Sequence, residues 1–314
     1  MEPVVSIVMP TFNRMEFLPA TIESVLAQTV PHWELIVADD GSNAETLEYL
    51  AAWTRDERIR LMRLRRSGNA GAARNAGIAA ARATLLAFLD SDDLWAPNKL
   101  ERQLAELRAN PNCGWSYTAF VTIDADGKPL ASERSRPWTP HTGQIFVQTV
   151  RTTASIRPSS VLARTELVRD IGAFDEAIDC SEDYDLMLRL AFRSPVCVVD
   201  EPLTSVRRHS SNPKRRAGAP HLARDYSLRK LEAQATGRDR KLLAEERSRN
   251  ALGLAAALTA HGERRRSVAT VFRSAPLGWK YPGWWYGAAK ELARTVLRAG
   301  RGSAASAPRS TSAH

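Results

Sequence analysis

The chain has 314 residues, of which 44% are hydrophobic and 25% charged. This composition excludes collagen-like, coiled-coil and wholly disordered proteins. The length suits two domains or one large α/β domain with an extension. The net charge of +9 is uneven, because residues 201–314 carry 23 Lys and Arg against 8 Asp and Glu, whereas residues 1–200 carry 21 against 27. The basic C-terminal third is typical of proteins that bind nucleic acid or an anionic membrane surface. The acidic first part disfavours nucleic acid, so we do not expect nucleic acid as a partner.

Apolar runs and helical patterns alternate along the first part of the chain. The predicted strands are residues 4–9, 35–38, 59–64, 85–89, 115–123, 161–163 and 196–199. The predicted helices are residues 21–28, 44–53, 70–83, 98–109, 165–171 and 181–191. Strands that alternate with helices at this spacing predict an α/β fold, with a mostly parallel sheet flanked by helices on both faces.

The rest of the chain predicts an extension. Residues 129–145 are rich in proline without helical or strand periodicity, which indicates a loop or lid. The pattern is helical from residue 222, and a last helix covers residues 288–298. From Gly300 the sequence is rich in Ser, Ala and Arg, which predicts disorder. We therefore expect an α/β domain at 1–210, a basic helical extension at 211–299 and a disordered tail at 300–314.

The cysteines and the apolar runs indicate the compartment. Cys113, Cys180 and Cys197 are far apart and lack metal-ligand spacing, which favours a reducing cytoplasm and no structural zinc. We expect no secretory signal, and no apolar run approaches the about 20 residues that span a membrane. We therefore predict a cytoplasmic protein whose contact with a membrane would be peripheral.

An acidic segment follows the predicted strand 85–89. Asp90 and Asp92 are two residues apart, so their side chains can point the same way in extended backbone. Ligands of open α/β sheets bind at the carboxyl ends of the strands. Clustered carboxylates there suit Mg²⁺ or Mn²⁺, which would bridge the oxygens of a diphosphate. The alternative is an Asx-rich turn that caps the next helix.

Two further segments have the residue types of a nucleotide site. Asp39 and Asp40 end the second strand, where one carboxylate could accept hydrogen bonds from a base or ribose; the alternative is a common Asp-Gly turn. The glycines of 68–77 lie at a predicted helix start, which can bind phosphate or sugar oxygens, but their spacing matches neither the dinucleotide fingerprint nor a P-loop. Arg74 in this segment is a candidate to hold the nucleotide, with a structural surface arginine as the alternative.

Six segments stand in one order along residues 4–210: VSIVMPTFN at 5–13, VADDGS at 37–42, ARNAG at 73–77, FLDSDD at 88–93, GAFDE at 172–176 and SEDYD at 181–185. In this order they resemble the inverting glycosyltransferases of family 2. The resemblance implies a Rossmann-like, nucleotide-sugar-binding fold of the type called GT-A. It also implies transfer of a sugar from a nucleoside diphosphate sugar to a hydroxyl acceptor with inversion, in cell-surface polysaccharide or glycolipid synthesis.

The resemblance assigns roles residue by residue. It implies that Thr11 and Asp39 hold the nucleotide, that Asp90 contacts ribose or metal, and that Asp92 binds the metal. His209 resembles the basic, His-containing segment that follows the core in many members, which implies a metal or phosphate role; a surface histidine is the alternative.

The resemblance also implies that Asp183 is the catalytic base. Independently, Asp183, Leu186 and Leu190 share one helical stripe, where a carboxylate is unexpected unless it lines a cleft. The alternative is that Asp183 and Glu182 only stabilise the helix dipole.

The sequence disfavours two other functions. A catalytically silent scaffold would not need Asp90, Asp92 and Asp183 together. A sugar-phosphate nucleotidyltransferase should have a glycine-rich signature and a lysine near the N-terminus, and residues 10–14 contain neither. The chain lacks the Q-x-x-R-W motif of processive synthases, which favours addition of single sugars. The C-terminal aromatics Trp279, Tyr281, Trp284, Trp285 and Tyr286, with Arg264–Arg266, suit the cytoplasmic face of the inner membrane and a lipid-linked acceptor, or else ordinary helix packing.

Overall fold

The structure is a computed structural model that describes residues 2–130, 138–210 and 216–303, with the side chains of the last helix as far as Thr295. The chain forms two compact units, Met1–Pro213 and Lys214–His314, against a predicted boundary at residue 210. The middle of the predicted loop or lid, residues 131–137, and the predicted disordered tail from residue 304 lie outside the described residues.

The described residues of the first unit contain one sheet of eight strands. The strands are β1 (Val5–Thr11), β2 (Trp33–Asp39), β3 (Ile59–Arg63), β4 (Leu85–Phe88), β5 (Leu94–Trp95), β6 (Trp115–Ile123), β7 (Val161–Arg164) and β8 (Val196–Arg207). Their order is β3-β2-β1-β4-β7-β6-β8-β5. Neighbours β1 to β4 pair in parallel, as do β6 and β8, whereas β7 and β5 are antiparallel to their neighbours. The predicted α/β fold with a mostly parallel sheet is confirmed.

Helices bury both faces of this sheet. They are α1 (Leu18–Leu26), α2 (Ala44–Trp53), α3 (Ala70–Ala80), α4 (Lys99–Ala109), α5 (Phe146–Val150), α6 (Thr165–Asp170) and α7 (Glu182–Arg193). Ile7 and Val8 point to opposite faces of β1, as successive strand residues must. Ile7 packs in a core with α1, α2 and α4, whereas Val8 packs in a second core with α3, α6 and α7.

Strand β8 extends well beyond the predicted strand 196–199. It pairs with β6 along its whole length, and the register shifts on β6 between Thr118 and Phe120. The polar residues Asp200 and Glu201 interrupt the apolar pattern of β8, which is why the sequence predicted a shorter strand. The extra length brings the chain back to the edge of the sheet where the acidic segment lies.

Gly77 lets helix α3 lie directly on β1. A Cβ atom at residue 77 would be 2.5 Å from Cγ1 of Val8, which is closer than such atoms approach. The helix can therefore take this position only with glycine at the contact.

The second unit is helical over its described residues. Its helices are α8 (Ala219–Glu232), α9 (Gly237–Ala260), α10 (Arg264–Gly278) and α11 (Pro282–Ser303). Residues 300–303, which we expected to be disordered, are helical. None of the described helices is long and apolar enough to cross a membrane.

Candidate active site

The predicted nucleotide residues lie at the carboxyl ends of neighbouring parallel strands. Thr11 ends β1 opposite Asp39 at the end of β2, and Asp90 lies two residues beyond β4 on the other side of β1. The topology therefore brings three residues from distant parts of the sequence to one edge of the sheet. This edge is where ligands of open α/β sheets bind.

Thr11 and Asp39 have polar atoms without partners. Asp39 is 1% exposed, and its Oδ2 accepts hydrogen bonds from the backbone N–H groups of Gly41 and Ser42 at 3.2 and 3.1 Å. Within residues 2–130, 138–210 and 216–303, neither Asp39 Oδ1 nor Thr11 Oγ1 has a hydrogen-bond partner. Because buried polar atoms are nearly always paired, these two oxygens indicate a place for the polar groups of a ligand.

Asp40 holds the neighbouring loop instead. It accepts hydrogen bonds from the N–H and hydroxyl of Ser67, at 2.7 and 2.8 Å, and from the N–H of Gly68 at 2.9 Å. Arg66 forms an ion pair with it. Burial alone would raise the pKa of Asp40. The hydrogen bonds and the Arg66 charge outweigh burial, so the pKa of Asp40 is lower than its ordinary value. Of the two adjacent carboxylates, Asp39 is therefore the one available to a ligand.

The acidic segment is anchored through Asp93 and Ser159. The Ser159 hydroxyl, in a 3-10 turn at Pro158–Ser160, donates to Asp93 Oδ2 at 2.6 Å and accepts from the N–H of Asp90 at 3.0 Å. The N–H of Arg207 donates to Asp93 Oδ1 at 2.9 Å. Burial raises the pKa of Asp93 well above its ordinary value, and the charges of Asp90 and Asp92 add to this effect. Asp93 therefore fixes the loop.

Asp92 and His209 are brought together by the long strand β8. Asp92 Oδ2 and His209 Nε2 are 2.8 Å apart, and the His209 ring lies 4.5 Å from the ring of Phe17. Only 3% of the His209 side chain is exposed, so it is not a surface histidine. Burial and the Asp90 charge raise the pKa of Asp92, while the hydrogen bond with His209 lowers it.

These two residues fit a divalent cation that is shared with a substrate. Mg²⁺ is commonly held by one or two carboxylates together with substrate phosphates, rather than by a complete set of protein ligands. In the part of the chain that the structure describes, no group of three or more His, Cys, Asp or Glu side chains could hold a metal ion. The donor set suits a cation that binds together with a diphosphate.

Arg74 links the strand-end carboxylates to helix α7. It is 4% exposed, which excludes the alternative of a surface arginine. Its two terminal nitrogens donate to Asp90 Oδ1 at 2.7 Å and to Glu182 Oε1 at 2.8 Å. Burial opposes its charge, but the charges of Asp90 and Glu182 raise its pKa above the ordinary value. Glu182 therefore has a specific partner besides the helix dipole.

Asp183 follows Glu182 in the first turn of α7 and is half-buried. Leu186 and Leu190 on the same stripe are fully buried, as the helical pattern predicts. Burial raises the pKa of Asp183, and the Glu182 charge raises it further, while the N–H of Tyr184 and the charges of Arg74 and Arg157 lower it. A half-buried carboxylate with a raised pKa is suited to accept a proton.

Two residues that position this site were not singled out by the sequence. Ser159 bridges the acidic segment, and Arg207 donates from Nε to the backbone carbonyl of Asp92 at 2.8 Å. Arg207 also donates to the carbonyls of Asp124 and Ala125. The sequence of the basic segment before His209 indicates at most a phosphate role for Arg207, and not this structural one. Both lie far along the chain from their partners, so no local pattern marks them.

Comparisons with known proteins identify the family of the chain. Residues 6–165 match the family model of glycosyl transferase family 2. The putative teichuronic acid biosynthesis glycosyltransferase TuaG of Bacillus subtilis is 39% identical over 130 residues, 41% of this chain and 51% of TuaG. The UDP-Glc:alpha-D-GlcNAc-diphosphoundecaprenol beta-1,3-glucosyltransferase WfgD of Escherichia coli is 39% identical over 134 residues, 42% of this chain and 52% of WfgD. The chain thus spans about half the length of these curated relatives.

Solved structures show the same fold. TarS 1-349 of S. aureus in complex with UDP has a TM-score of 0.66 at 17% identity, over 94% of this chain and 89% of TarS. The complex with UDP-GlcNAc has a TM-score of 0.66 at 16% identity, over 96% of this chain and 92% of TarS. The GT-A fold that the resemblance implies is confirmed, and so are the C-terminal helices that the sequence pattern predicts. Since the family model covers about half of the chain, the chain belongs to glycosyltransferase family 2.

Proposed function

We propose that the protein is a metal-dependent, inverting glycosyltransferase that adds one sugar from a nucleoside diphosphate sugar to a hydroxyl acceptor in cell-surface polysaccharide or glycolipid synthesis. The observation that carries this proposal is the double contact of Arg74, which bonds Asp90 at the sheet edge and Glu182 at the start of α7. It joins the candidate donor residues to the candidate base Asp183 in one site. A catalytically silent scaffold would need no such arrangement.

Different residues of the donor site bind different parts of the nucleotide. Thr11 Oγ1 and Asp39 Oδ1, both buried and unpaired within the described residues, bind the base or ribose. Arg74 holds Asp90 toward the ribose and diphosphate. The fold neighbour TarS was solved with UDP and with UDP-GlcNAc, which supports a uridine nucleotide as the donor.

Asp183 acts on the acceptor. It takes the proton of the acceptor hydroxyl as that oxygen attacks the anomeric carbon, and the bond from this carbon to the diphosphate breaks with its electron pair on the leaving oxygen. Attack from the face opposite the diphosphate inverts the anomeric configuration. Asp92 and His209 would hold a divalent cation, which would supply charge neutralisation for the departing diphosphate.

UDP binding is expected to depend on a divalent metal through Asp92. Calorimetric titration of UDP in Mn²⁺ should give an affinity at least about tenfold higher than in EDTA, and Asp92→Ala should abolish this difference. Asp126→Ala, which removes an exposed carboxylate elsewhere, serves as the control and should leave it intact. Equal affinity in Mn²⁺ and EDTA for the unmodified protein would remove the metal from the proposal.

We also propose that the second unit binds the cytoplasmic face of an anionic membrane, which places a lipid-linked acceptor near the enzyme. The name of WfgD describes an acceptor of this kind, a sugar on diphosphoundecaprenol. The aromatic face of the second unit, formed by Phe272, Trp279, Trp285 and Tyr286, is between 57% and 74% exposed. Trp285 Nε1 donates to the carbonyl of Trp279 at 3.0 Å, which joins α10 and α11 on this face.

The charges around the aromatic face are of one sign. Residues 264–295 contain seven Lys and Arg and one acid, Glu291, which is 4% exposed. Exposed aromatic rings among basic side chains suit the headgroup region of an anionic membrane. Trp284, which we expected on this surface, is instead buried and donates from Nε1 to Ser274 Oγ at 3.1 Å.

Vesicle binding tests this surface. The protein should sediment with vesicles containing phosphatidylglycerol at low salt, and binding should weaken as salt rises, because each basic residue near the surface contributes about 1 kcal/mol. The double variant Trp279→Ala with Trp285→Ala should bind several-fold more weakly. Tyr226→Ala, which removes an exposed ring from α8, is the control. No sedimentation at low salt would show that the aromatic face has another role.

A further inference from the structure

The guanidinium of Arg157 has no hydrogen-bond or ion-pair partner among the described residues. Arg157 is half-buried and immediately precedes the turn Pro158–Ser160. Its Nε–H is buried and has no hydrogen-bond acceptor, and the guanidinium forms no ion pair with any residue that the structure describes.

The other arginines buried in the first unit each bond carboxylates or backbone carbonyls, although the Nε–H of Arg74, like that of Arg157, has no acceptor among the described residues. Arg74 bonds two carboxylates, Arg189 bonds Asp185 at 2.7 Å, and the guanidinium of Arg207 donates to three backbone carbonyls. A buried guanidinium N–H without an acceptor costs free energy, so an unpaired arginine in a site of this kind needs an explanation.

Arg157 lies in the segment that anchors the acidic loop of the candidate site. Its charge reaches Asp183, whose pKa it lowers, although the two side chains form no ion pair. Two residues further on, Ser159 holds the segment of Asp90 and Asp93. Arg157 therefore lies two residues from the anchor of the acidic loop, and its charge acts on the candidate base.

One contact of Arg157 is to an aromatic ring. Its guanidinium carbon lies 5.2 Å from the centre of the Phe120 ring. This cation–π contact orients the planar group but uses none of its N–H donors, which lie at the edge of the plane. The N–H donors of Arg157 therefore remain unpaired among the described residues.

We propose that Arg157 forms an anion subsite beside Asp183, which binds a carboxylate or phosphate group of a substrate. The inference rests on the proposed transferase function. A planar guanidinium pairs with two oxygens of such a group at once, which gives both affinity and orientation. The anionic group can belong to the donor, as a uronate on the transferred sugar, or to the acceptor, as a phosphate on the sugar that is extended.

Two matched pairs of probes distinguish these sources on the full-length protein in Mn²⁺. For the donor, the affinities of UDP-glucuronate and UDP-glucose are compared by calorimetry. For the acceptor, the affinities of N-acetylglucosamine 1-phosphate and N-acetylglucosamine are compared with UDP already bound. In one of the two pairs the charged member should bind about tenfold more tightly than the neutral one, as a hydrogen bond to a charged group implies.

Variants assign this preference to Arg157. Arg157→Gln should abolish it, Arg157→Lys should keep part of it, and Arg151→Gln, which removes an exposed charge from the same segment, should leave it unchanged. UDP affinity should be the same in all of them. If neither charged probe is preferred, or if the preference survives in Arg157→Gln while UDP still binds, the subsite is refuted. If UDP binds no form of the protein, the transferase proposal itself fails.

Discussion

Asp183→Asn should reduce sugar transfer by at least about 10²-fold, the lower end of what a general base contributes. The amide has nearly the shape of the carboxylate but cannot take the acceptor's proton. Transfer is measured by release of nucleoside diphosphate in the presence of acceptor, and donor affinity is measured separately by calorimetry. The donor affinity should stay close to that of the unmodified protein.

The fold of this variant should be intact. Burial and Glu182 raise the pKa of Asp183, so its charged form is disfavoured by folding, and a neutral side chain should not lower the melting temperature at neutral pH. Asp179→Asn, an exposed neighbour with the same change, is the control for nonspecific effects. Transfer near the unmodified rate in Asp183→Asn would remove Asp183 from the mechanism.

The raised pKa of Asp183 predicts how the rate of sugar transfer changes at low pH. A base works only when deprotonated, so the rate of transfer should fall as pH falls through the pKa of Asp183, at a higher pH than an ordinary aspartate would give. Arg157 lowers this pKa, so Arg157→Gln should move the limb to still higher pH.

Arg74→Met should lower the free energy of unfolding by about 3 kcal/mol, because it leaves two carboxylates without their shared buried cation. Arg74 is 5% exposed at its side chain, while Glu182 is 15% and Asp90 31% exposed, so water relieves only part of the loss. Urea unfolding followed by circular dichroism measures the change.

An exposed ion pair provides the matched control. The side chains of Arg102 and Glu201 are 53% and 38% exposed, and such pairs contribute at most about 1 kcal/mol. Arg102→Gln should therefore shift the urea midpoint far less than Arg74→Met. Equal midpoints for Arg74→Met and the unmodified protein would mean that the contacts of Arg74 do not stabilise the fold.

The parts of the site that follow strands could be predicted from sequence. The apolar run before Asp90 marks a buried strand, and parallel strands that alternate with helices must end at one edge, so Asp39 and Asp90 were expected together. The stripe that joins Asp183 to Leu186 likewise marks its helix face. In each case the information is local and periodic.

The remaining features depend on contacts between distant residues. Arg74 and Glu182 are 108 positions apart, so nothing near either one indicates the pair. No local pattern separates Asp39 from Asp40; the resemblance names Asp39, and the structure shows that Asp40 is occupied by the loop at Ser67. Trp284 and Trp285 are adjacent, but one is buried and the other exposed, because the helix that begins at Pro282 turns them to different sides.

The contact of Gly77 with Val8 also has a consequence for the geometry of catalysis. Arg74 lies three residues before Gly77, close to one helical turn, so the separation between α3 and β1 controls how far its guanidinium reaches toward Asp90. A methyl group at residue 77 would collide with the Val8 side chain, so that either this side chain or α3 must shift. We expect a shift of α3 to lengthen the 2.7 Å bond between Arg74 and Asp90. The absence of a side chain at residue 77 therefore permits the close approach of α3 to β1 on which the contact between Arg74 and Asp90 depends.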